Sequence, residues 1–325
     1  MRIARIKVPT SEETAVYHCI SRTVNGERLL VEDDREMFRR QMWQVAEFCG
    51  VEILTYALLS NHFHILVLVP KAGTVSDVEL LRRYKILHPR PTKFQPAHPE
   101  VLGKMLATND ADGQEWRGRQ LALMGDVSQF MKLLKQRFTM WYNRTHQRFG
   151  TLWAERFKSV LVENGPVLRT MAAYIDLNPV RAGLTRDPKD YRFCGYAEAV
   201  AGHKKLRVSL AAVLEQTAWT TTQQAYRRML YGGRKKPDAA APSAAEIEKV
   251  LKENGSLSAA ELLRCRMRYF TDGAVLGSKA FVAGQLRRYR RLTGRRKSIT
   301  PRPLPQIAGQ PEITMLRGLR RHAIG

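Results

Sequence analysis

Long hydrophobic runs are missing from this 325-residue chain. No apolar stretch reaches the roughly 18 residues that a membrane-spanning helix needs. The basic N-terminus MRIARIKVPT lacks the apolar segment of a secretion signal. We therefore expect a cytoplasmic protein that does not span a membrane.

Cysteine is scarce and scattered. The four cysteines, Cys19, Cys49, Cys194 and Cys265, lie far apart and never form a C-x-x-C pair. This spacing argues against a disulfide framework or a zinc-binding motif, and it favours reduced thiols in a core.

Acidic residues are few relative to basic ones. The chain has 54 Lys or Arg against 30 Asp or Glu, a formal net charge of +24. Residues 264–325 alone contain 15 basic and 2 acidic residues, a net +13. Such an excess favours a polyanionic partner, most commonly nucleic acid. The alternative is a basic tail that only aids solubility, but LRRYRRLTGRRKSITPRP interleaves arginine with aromatic and turn residues.

Strand and helix patterns alternate along the first 200 residues. Strand patterns cover 14–24, 51–59, 62–70 and 152–163, and helix patterns cover 33–49, 126–145 and 165–183. The order β-α-β-β-α-β is the split βαβ pattern of a ferredoxin-like fold. We predict an α+β fold, with an antiparallel sheet and helices on one face.

The remaining segments set the predicted domain organisation. Residues 71–125 form a long, less regular insertion within the first domain. Residues 205–285 are predicted as a C-terminal helical accessory domain that contains the linker PDAAAPSAAE. The helices that follow this linker are either a DNA-binding helix-turn-helix unit or a plain helical hairpin. Residues 286–325 form the basic tail.

Two histidines stand one residue apart in the apolar run NHFHILVLV. On a strand, residues i and i+2 share a face, so His62 and His64 project together while Phe63 and Ile65 point into the core. Two adjacent imidazoles can hold one divalent cation, although two unrelated surface histidines would give the same pattern. A cation would need a third ligand from another element.

The stretch MAAYIDLNPV places Tyr174 and Asn178 on one face of a helix. Taken alone, Tyr174 is a core residue and Asn178 caps the turn that begins at Pro179. Beside the histidine pair and the basic charge, a metal that polarises a phosphodiester and a tyrosine that attacks the phosphorus fit better. The amide oxygen of Asn178 suits Mg²⁺ or Mn²⁺.

These motifs carry a family resemblance. NHFHILVLV resembles the HUH motif, and AAYIDLNPVRAGL resembles the tyrosine helix, of the single-tyrosine HUH transposases. YHCISRTVNGE and ERFKSVLVE fit the same group, and the chain looks most like the REP-associated tyrosine transposase branch. The resemblance covers residues 14 to about 200, so residues 1–200 are predicted as the transposase (nuclease) domain.

The resemblance implies an activity and roles for particular residues. His62 and His64 would bind the metal, Asn178 would be the third ligand, and Tyr174 would be the nucleophile. The implied activity is metal-dependent cleavage and joining of single-stranded DNA near REP-like hairpins or insertion-sequence ends, through a covalent 5′-phosphotyrosine. The implied cofactor is Mg²⁺ or Mn²⁺, and the implied protein is a monomer or homodimer that associates with the nucleoid.

Basic residues are candidates for DNA contacts. The set near the motifs and in the tail is Arg156, Lys158, Arg181, Arg287, Arg288, Arg290, Arg291, Arg295, Arg296 and Lys297. His18, on the first strand, could approach the metal site, but a structural role ranks above a catalytic one. Two rival functions are a non-catalytic nucleic-acid-binding module of the same fold and a metal-dependent nuclease that uses water.

Overall fold

The computed structural model describes most of the chain. The described residues are 6–89, 98–231, 257–258, 269–294, 301–303, 307–308 and 312–316. The predicted linker and most of the predicted helix-turn-helix segment lie outside these residues.

Short and long strands occur along the described chain. They are Ala15–Arg22 (β1), Glu52–Leu58 (β2), His62–Val69 (β3), Lys158–Val162 (β4), Leu257–Ser258 (β5), Val275–Gly277 (β6), Pro301–Pro303 (β7), Ile307–Ala308 (β8) and Thr314–Leu316 (β9).

Helices connect and cover these strands. They are Glu32–Cys49 (α1), Asp77–Leu87 (α2), Pro99–Ala107 (α3), Ala111–Leu121 (α4), Val127–Thr145 (α5), Pro166–Asp176 (α6), Asn178–Arg181 (α7), Gly195–Val200 (α8), Lys204–Val213 (α9), Trp219–Tyr231 (α10), Tyr269–Asp272 (α11) and Lys279–Thr293 (α12). Among the residues that the structure describes, no helix is long and apolar enough to cross a membrane.

The main sheet confirms the predicted α+β class. Its strand order is β2-β3-β1-β4-β6-β9-β7. Strand β3 pairs antiparallel with both β1 and β2, and β1 pairs antiparallel with β4. The register places Ile20 opposite His64 and Arg22 opposite His62. These four strands therefore bring the start of β3 beside the end of β1.

Helices pack on both faces of the sheet, not on one face as predicted. On one face Phe63 of β3 contacts Phe38 of α1, with ring centroids 4.7 Å apart. On the opposite face Thr55 of β2 donates a hydrogen bond to Asp176 of α6 at 2.7 Å. The second layer exists because α6 is itself apolar and buries most of its side chains.

Local sequence signals fix several helix ends. Asp126 caps α5, where its carboxylate accepts from the backbone N–H groups of Ser128 and Gln129. Gly50 ends α1 in the left-handed conformation, with φ of 65°. The predicted helix over 165–183 is divided into α6 and α7 at Leu177, just before the Asn178–Pro179 pair.

The insertion at 71–125 is more regular than predicted. It contains α2, α3 and α4, and each helix buries apolar side chains such as Leu80, Leu102 and Trp116. These side chains belong to the same continuous hydrophobic core as those of the main sheet, so the insertion packs onto the domain.

The C-terminal part of the chain joins the main sheet. Strand β6 pairs parallel with β4, and β9 pairs with β6. Helix α12 buries Leu286 and Tyr289. Sheet strands thus occur in the regions predicted as a helical accessory domain and a basic tail, while the domain boundaries themselves stay a prediction.

The described cysteines are buried thiols. Cys19, Cys49 and Cys194 form no disulfide, in agreement with the sequence spacing. Cys265 lies outside the described residues.

Candidate active site

Strand β3 brings His62 and His64 together on one face. Their ring centroids are 5.2 Å apart and their planes meet at 79°. Phe63 and Ile65 are fully buried on the other side of the strand. His64 is only 3% exposed, so the predicted open face is covered at this point. The cover comes from Tyr174 of α6, which lies against His64, and from Phe270 of α11, which contacts Tyr174 and the adjacent His18.

Helix α6 places Tyr174 beside these histidines. The Tyr174 ring centroid is 6.3 Å from that of His64 and 6.4 Å from that of His18. The Phe270 ring of α11 packs against Tyr174 at 4.6 Å. Tyr174 therefore lies between the histidine face of the sheet and the C-terminal segment, with 1% of its surface exposed.

Arg181 of α7 lies against the same tyrosine. Its guanidinium carbon is 4.0 Å from the Tyr174 ring centroid, a cation–π contact. Its Nη2 also donates to the backbone carbonyl of Tyr174 at 2.5 Å. The Arg181 side chain thus reaches the last turn of α6 across the break between α6 and α7.

Asn178 has a fixed amide orientation. Its Nδ2 donates to the carbonyl oxygens of Tyr174 and Ile175, both at 3.2 Å. Carbonyls only accept, so the amide nitrogen must face them and the oxygen Oδ1 is the atom left for a cation. The side chain thus closes the end of α6 and keeps an oxygen donor beside Tyr174.

His18 joins the site from β1. Its Nε2 lies 2.8 Å from His64 Nδ1, and its Nδ1 lies 2.8 Å from the carbonyl oxygen of Phe270. Complete burial lowers the pKa of His18 to about 3 despite the Phe270 carbonyl, and the nearby Arg181 adds to the shift. His18 is therefore a neutral imidazole that contacts one of the proposed metal ligands.

Asn61 contacts the other histidine. Its Oδ1 lies 2.7 Å from His62 Nδ1, and its Nδ2 donates to the Gly26 carbonyl at 2.9 Å. Both histidines of β3 therefore have a polar neighbour at Nδ1.

A cavity of about 570 Å³ connects these groups. His62, His64, Tyr174 and Asn178 all line it. So do three basic side chains, Arg22, Lys158 and Arg181. The structure thus gathers the proposed ligands, the proposed nucleophile and a positive lining around one space.

Sequence reasoning missed some lining residues. Arg22, Asn61 and Glu155 line the cavity, but the motifs did not single them out. Strand periodicity could have found Arg22, because it shares a face of β1 with His18. Asn61 carries no comparable signal, because it lies just before β3. Glu155 lies in the predicted strand 152–163, but β4 begins only at Lys158, so periodicity does not place its side chain.

The predicted DNA-contacting residues divide into groups. Lys158 and Arg181 line the large cavity, whereas Arg156 is exposed beside it. Arg287, Arg288 and Arg291 line a second cavity of about 400 Å³ along α12, and Arg290 is exposed. Arg288 is engaged within the protein, in ion pairs with Glu12 and Glu13. Arg295, Arg296 and Lys297 lie outside the described residues.

The imidazole nitrogens of His62 and His64 and the amide oxygen of Asn178 suit a divalent cation that accepts both nitrogen and oxygen ligands. Within the described ranges, no three His, Cys, Asp or Glu side chains cluster as a metal site. The oriented Oδ1 of Asn178 is an oxygen donor that suits a cation held by His62 and His64. Two imidazoles and an amide oxygen fit Mn²⁺, and Mg²⁺ with additional oxygen ligands.

Comparison with known proteins gives a family match for the first part of the chain. A family model described as "Transposase IS200 like" matches residues 11–87. This segment includes His18, His62 and His64, but it ends before Tyr174. The match confirms the resemblance that the histidine motif indicated.

A solved structure of a REP-associated tyrosine transposase bound to a REP hairpin is also similar. It shares 16% identity and a TM-score of 0.39, and the alignment covers 62% of this chain and 85% of that chain. No curated protein sequence matches. Over residues 11–87, which carry His18, His62 and His64 of the site, the chain is thus similar to the IS200-like transposases.

Proposed function

We propose that the chain is a metal-dependent endonuclease and strand transferase for single-stranded DNA, of the single-tyrosine transposase type. The observation that carries this proposal is that Tyr174, His62, His64 and Asn178 line one cavity. These residues come from β3, α6 and α7, and only the fold brings them together.

The proposed reaction is a transesterification. The Tyr174 oxygen attacks the phosphorus and loses its proton, while the bond from phosphorus to the 3′ oxygen breaks. The released strand takes up a proton as its 3′-hydroxyl, and the 5′-phosphate stays on the tyrosine. A second 3′-hydroxyl can reverse the step and join two strands, because the phosphodiester bond energy is retained.

Side chains of the cavity supply positive charge for this step and would hold the cation. Arg181 lies 4.0 Å from the Tyr174 ring, where a cation favours negative charge on the phenol oxygen. Arg22 and Lys158 line the same cavity and suit a phosphate. His62, His64 and Asn178 would hold the cation, which supplies Lewis-acid polarisation of the phosphate oxygens when bound.

The proposed substrate is an unpaired strand. Tyr174 lies inside a cavity, with 1% of its surface exposed, and not on an open surface. A phosphodiester reaches such a position more easily on a flexible single strand than within a duplex. A hairpin stem next to the cleaved strand would lie outside the cavity, where the arginines of α12 are candidates to contact it.

Covalent capture tests the proposal. The protein is incubated with end-labelled hairpin DNA that carries a single-stranded flank, with Mn²⁺, and the products are separated on a denaturing gel. We expect a labelled band at the mass of the protein, which disappears in Tyr174→Phe. Tyr142→Phe is the matched control, because it removes another buried hydroxyl, one that donates to the Leu29 carbonyl.

The rival functions give different results. Cleavage without a protein-bound label in the wild type and in Tyr174→Phe would indicate a nuclease that uses water. Tight binding without cleavage would indicate a non-catalytic binding module. Either result contradicts the proposed function.

A further inference from the structure

His62 and His64 are each linked through Nδ1 to a neighbour that is itself linked to a backbone carbonyl. For His64 the chain of contacts is Phe270 O, His18 and then His64. For His62 it is Gly26 O, Asn61 and then His62. A carbonyl oxygen can only accept a hydrogen bond, so each chain has a defined direction.

The direction fixes the tautomer of His64. The Phe270 carbonyl requires His18 to carry its hydrogen on Nδ1. His18 has no exposed surface, and a wholly buried neutral imidazole then has an unprotonated Nε2. That nitrogen accepts, so His64 must donate from Nδ1 across 2.8 Å. The Nε2 atom of His64 is left as the basic nitrogen.

The same reasoning applies to His62. The Gly26 carbonyl requires the amide nitrogen of Asn61 to face it, so Oδ1 faces the imidazole. An amide oxygen accepts, and His62 therefore donates from Nδ1 across 2.7 Å. In its neutral form each histidine thus carries its hydrogen on Nδ1 and its lone pair on Nε2, the form in which an imidazole nitrogen binds a metal.

We propose that His18 and Asn61 are positioning residues that hold His64 and His62 as Nδ1–H tautomers, with both Nε2 atoms prepared for one divalent cation. This inference rests on the proposed metal site, but not on DNA cleavage. It assigns a role to His18 beyond packing. It also links the C-terminal segment to the site, because the Phe270 carbonyl orients His18 from a distance of 252 residues along the chain.

Nuclear magnetic resonance of the full chain with ¹⁵N-labelled histidine tests the tautomers directly, without metal. Long-range ¹H–¹⁵N correlations distinguish a protonated Nδ1 from a protonated Nε2. We expect His18, His62 and His64 to be Nδ1–H tautomers in the wild type. An Nε2–H tautomer at His64 or at His62 would overturn the inference.

Substitution tests the role of His18. His18→Phe removes the acceptor, so we expect a mixed tautomer at His64 and roughly ten- to hundredfold weaker Mn²⁺ binding by calorimetry. His18→Gln keeps a donor for Phe270 O and an acceptor for His64, and it should recover most of the affinity. Unchanged tautomer and Mn²⁺ affinity in His18→Phe would contradict the role.

Two controls separate folding and function from this inference. Cys19→Ala changes the neighbouring buried residue on the opposite face of β1, and it should leave Mn²⁺ affinity unchanged. If His18→Phe does not fold, the wild-type tautomers and His18→Gln still decide the question. If the tautomers and Mn²⁺ binding are as expected but no DNA adduct forms, the proposed function fails and the positioning roles stand.

Discussion

The buried carboxyl group of Asp176 fixes α6 to the sheet. Our most specific stability prediction concerns the loss of one of the hydrogen bonds that this group accepts. Asp176 Oδ1 accepts from the Thr55 hydroxyl at 2.7 Å and from the Tyr196 backbone N–H at 3.1 Å. Its Oδ2 accepts from the Tyr226 hydroxyl at 2.6 Å. Asp176, Thr55 and Tyr226 have no exposed surface. This cluster holds the helix that carries Tyr174.

Thr55→Val replaces the hydroxyl group by a methyl group of similar size. A hydrogen bond to a charged group contributes about 1.5–3 kcal/mol. Because two other donors still contact the carboxyl group, we expect a loss of about 2 kcal/mol in the free energy of unfolding, roughly thirtyfold in the folding equilibrium. Burial raises the pKa of Asp176 to about 7, so a measurement at pH 8 keeps most of the carboxyl group ionised.

Urea unfolding followed by circular dichroism measures this loss. Thr55→Ser is the matched control, because it keeps the donor and loses one methyl group, worth about 0.8 kcal/mol. The reasoning is refuted if Thr55→Val changes the free energy of unfolding by less than about 0.5 kcal/mol, within the range of ordinary surface substitutions. It is also refuted if Thr55→Val costs no more than Thr55→Ser.

Two further predictions concern pH and salt. Burial, with a smaller contribution from Arg137, lowers the pKa of His88 from an ordinary value near 6.5 to about 4. Between these values the unfolded chain binds a proton that the folded chain does not, so stability should fall by at most about 3 kcal/mol as the pH drops from 6.5 to 4. His88→Gln should reduce this loss in unfolding measurements across that pH range, and an unchanged pH profile would contradict the assignment. Arg287, Arg290 and Arg291 of α12 are exposed, and replacing all three by alanine should weaken the salt dependence of binding to hairpin DNA. The slope of log affinity against log salt concentration should become smaller by up to about 3. Arg288→Ala is the control, because it removes a side chain that is paired within the protein, and it should leave the slope unchanged. Equal slopes for the triple variant and the wild type would exclude α12 from DNA contact.

Local sequence patterns were sufficient for much of the secondary structure and for part of the site. The period of two in NHFHILVLV placed His62 and His64 on one face of a strand, and the structure has them there. Asp126 and Gly50 marked helix ends because capping and left-handed backbone conformation depend on single residues. Such signals act over a few residues, so they can be recognised without knowledge of the fold.

Only the tertiary structure decided what surrounds the two histidines. The sequence predicted an open face, but α6 and α11 cover it and leave His64 almost fully buried. Periodicity has no information on which distant segments pack together, and the partners of His18 lie 46 and 252 residues away along the chain.

The sequence by itself determined that two histidines share a strand face and that Tyr174 and Asn178 share a helix face. The fold decided that these faces meet around one cavity, and that Asn178 directs its amide nitrogen to the end of α6. It also decided that His18 and Asn61 contact the histidines at Nδ1. The physical reason is that a side chain's face follows from local backbone geometry, whereas its hydrogen-bond partners follow from the packing of the whole chain.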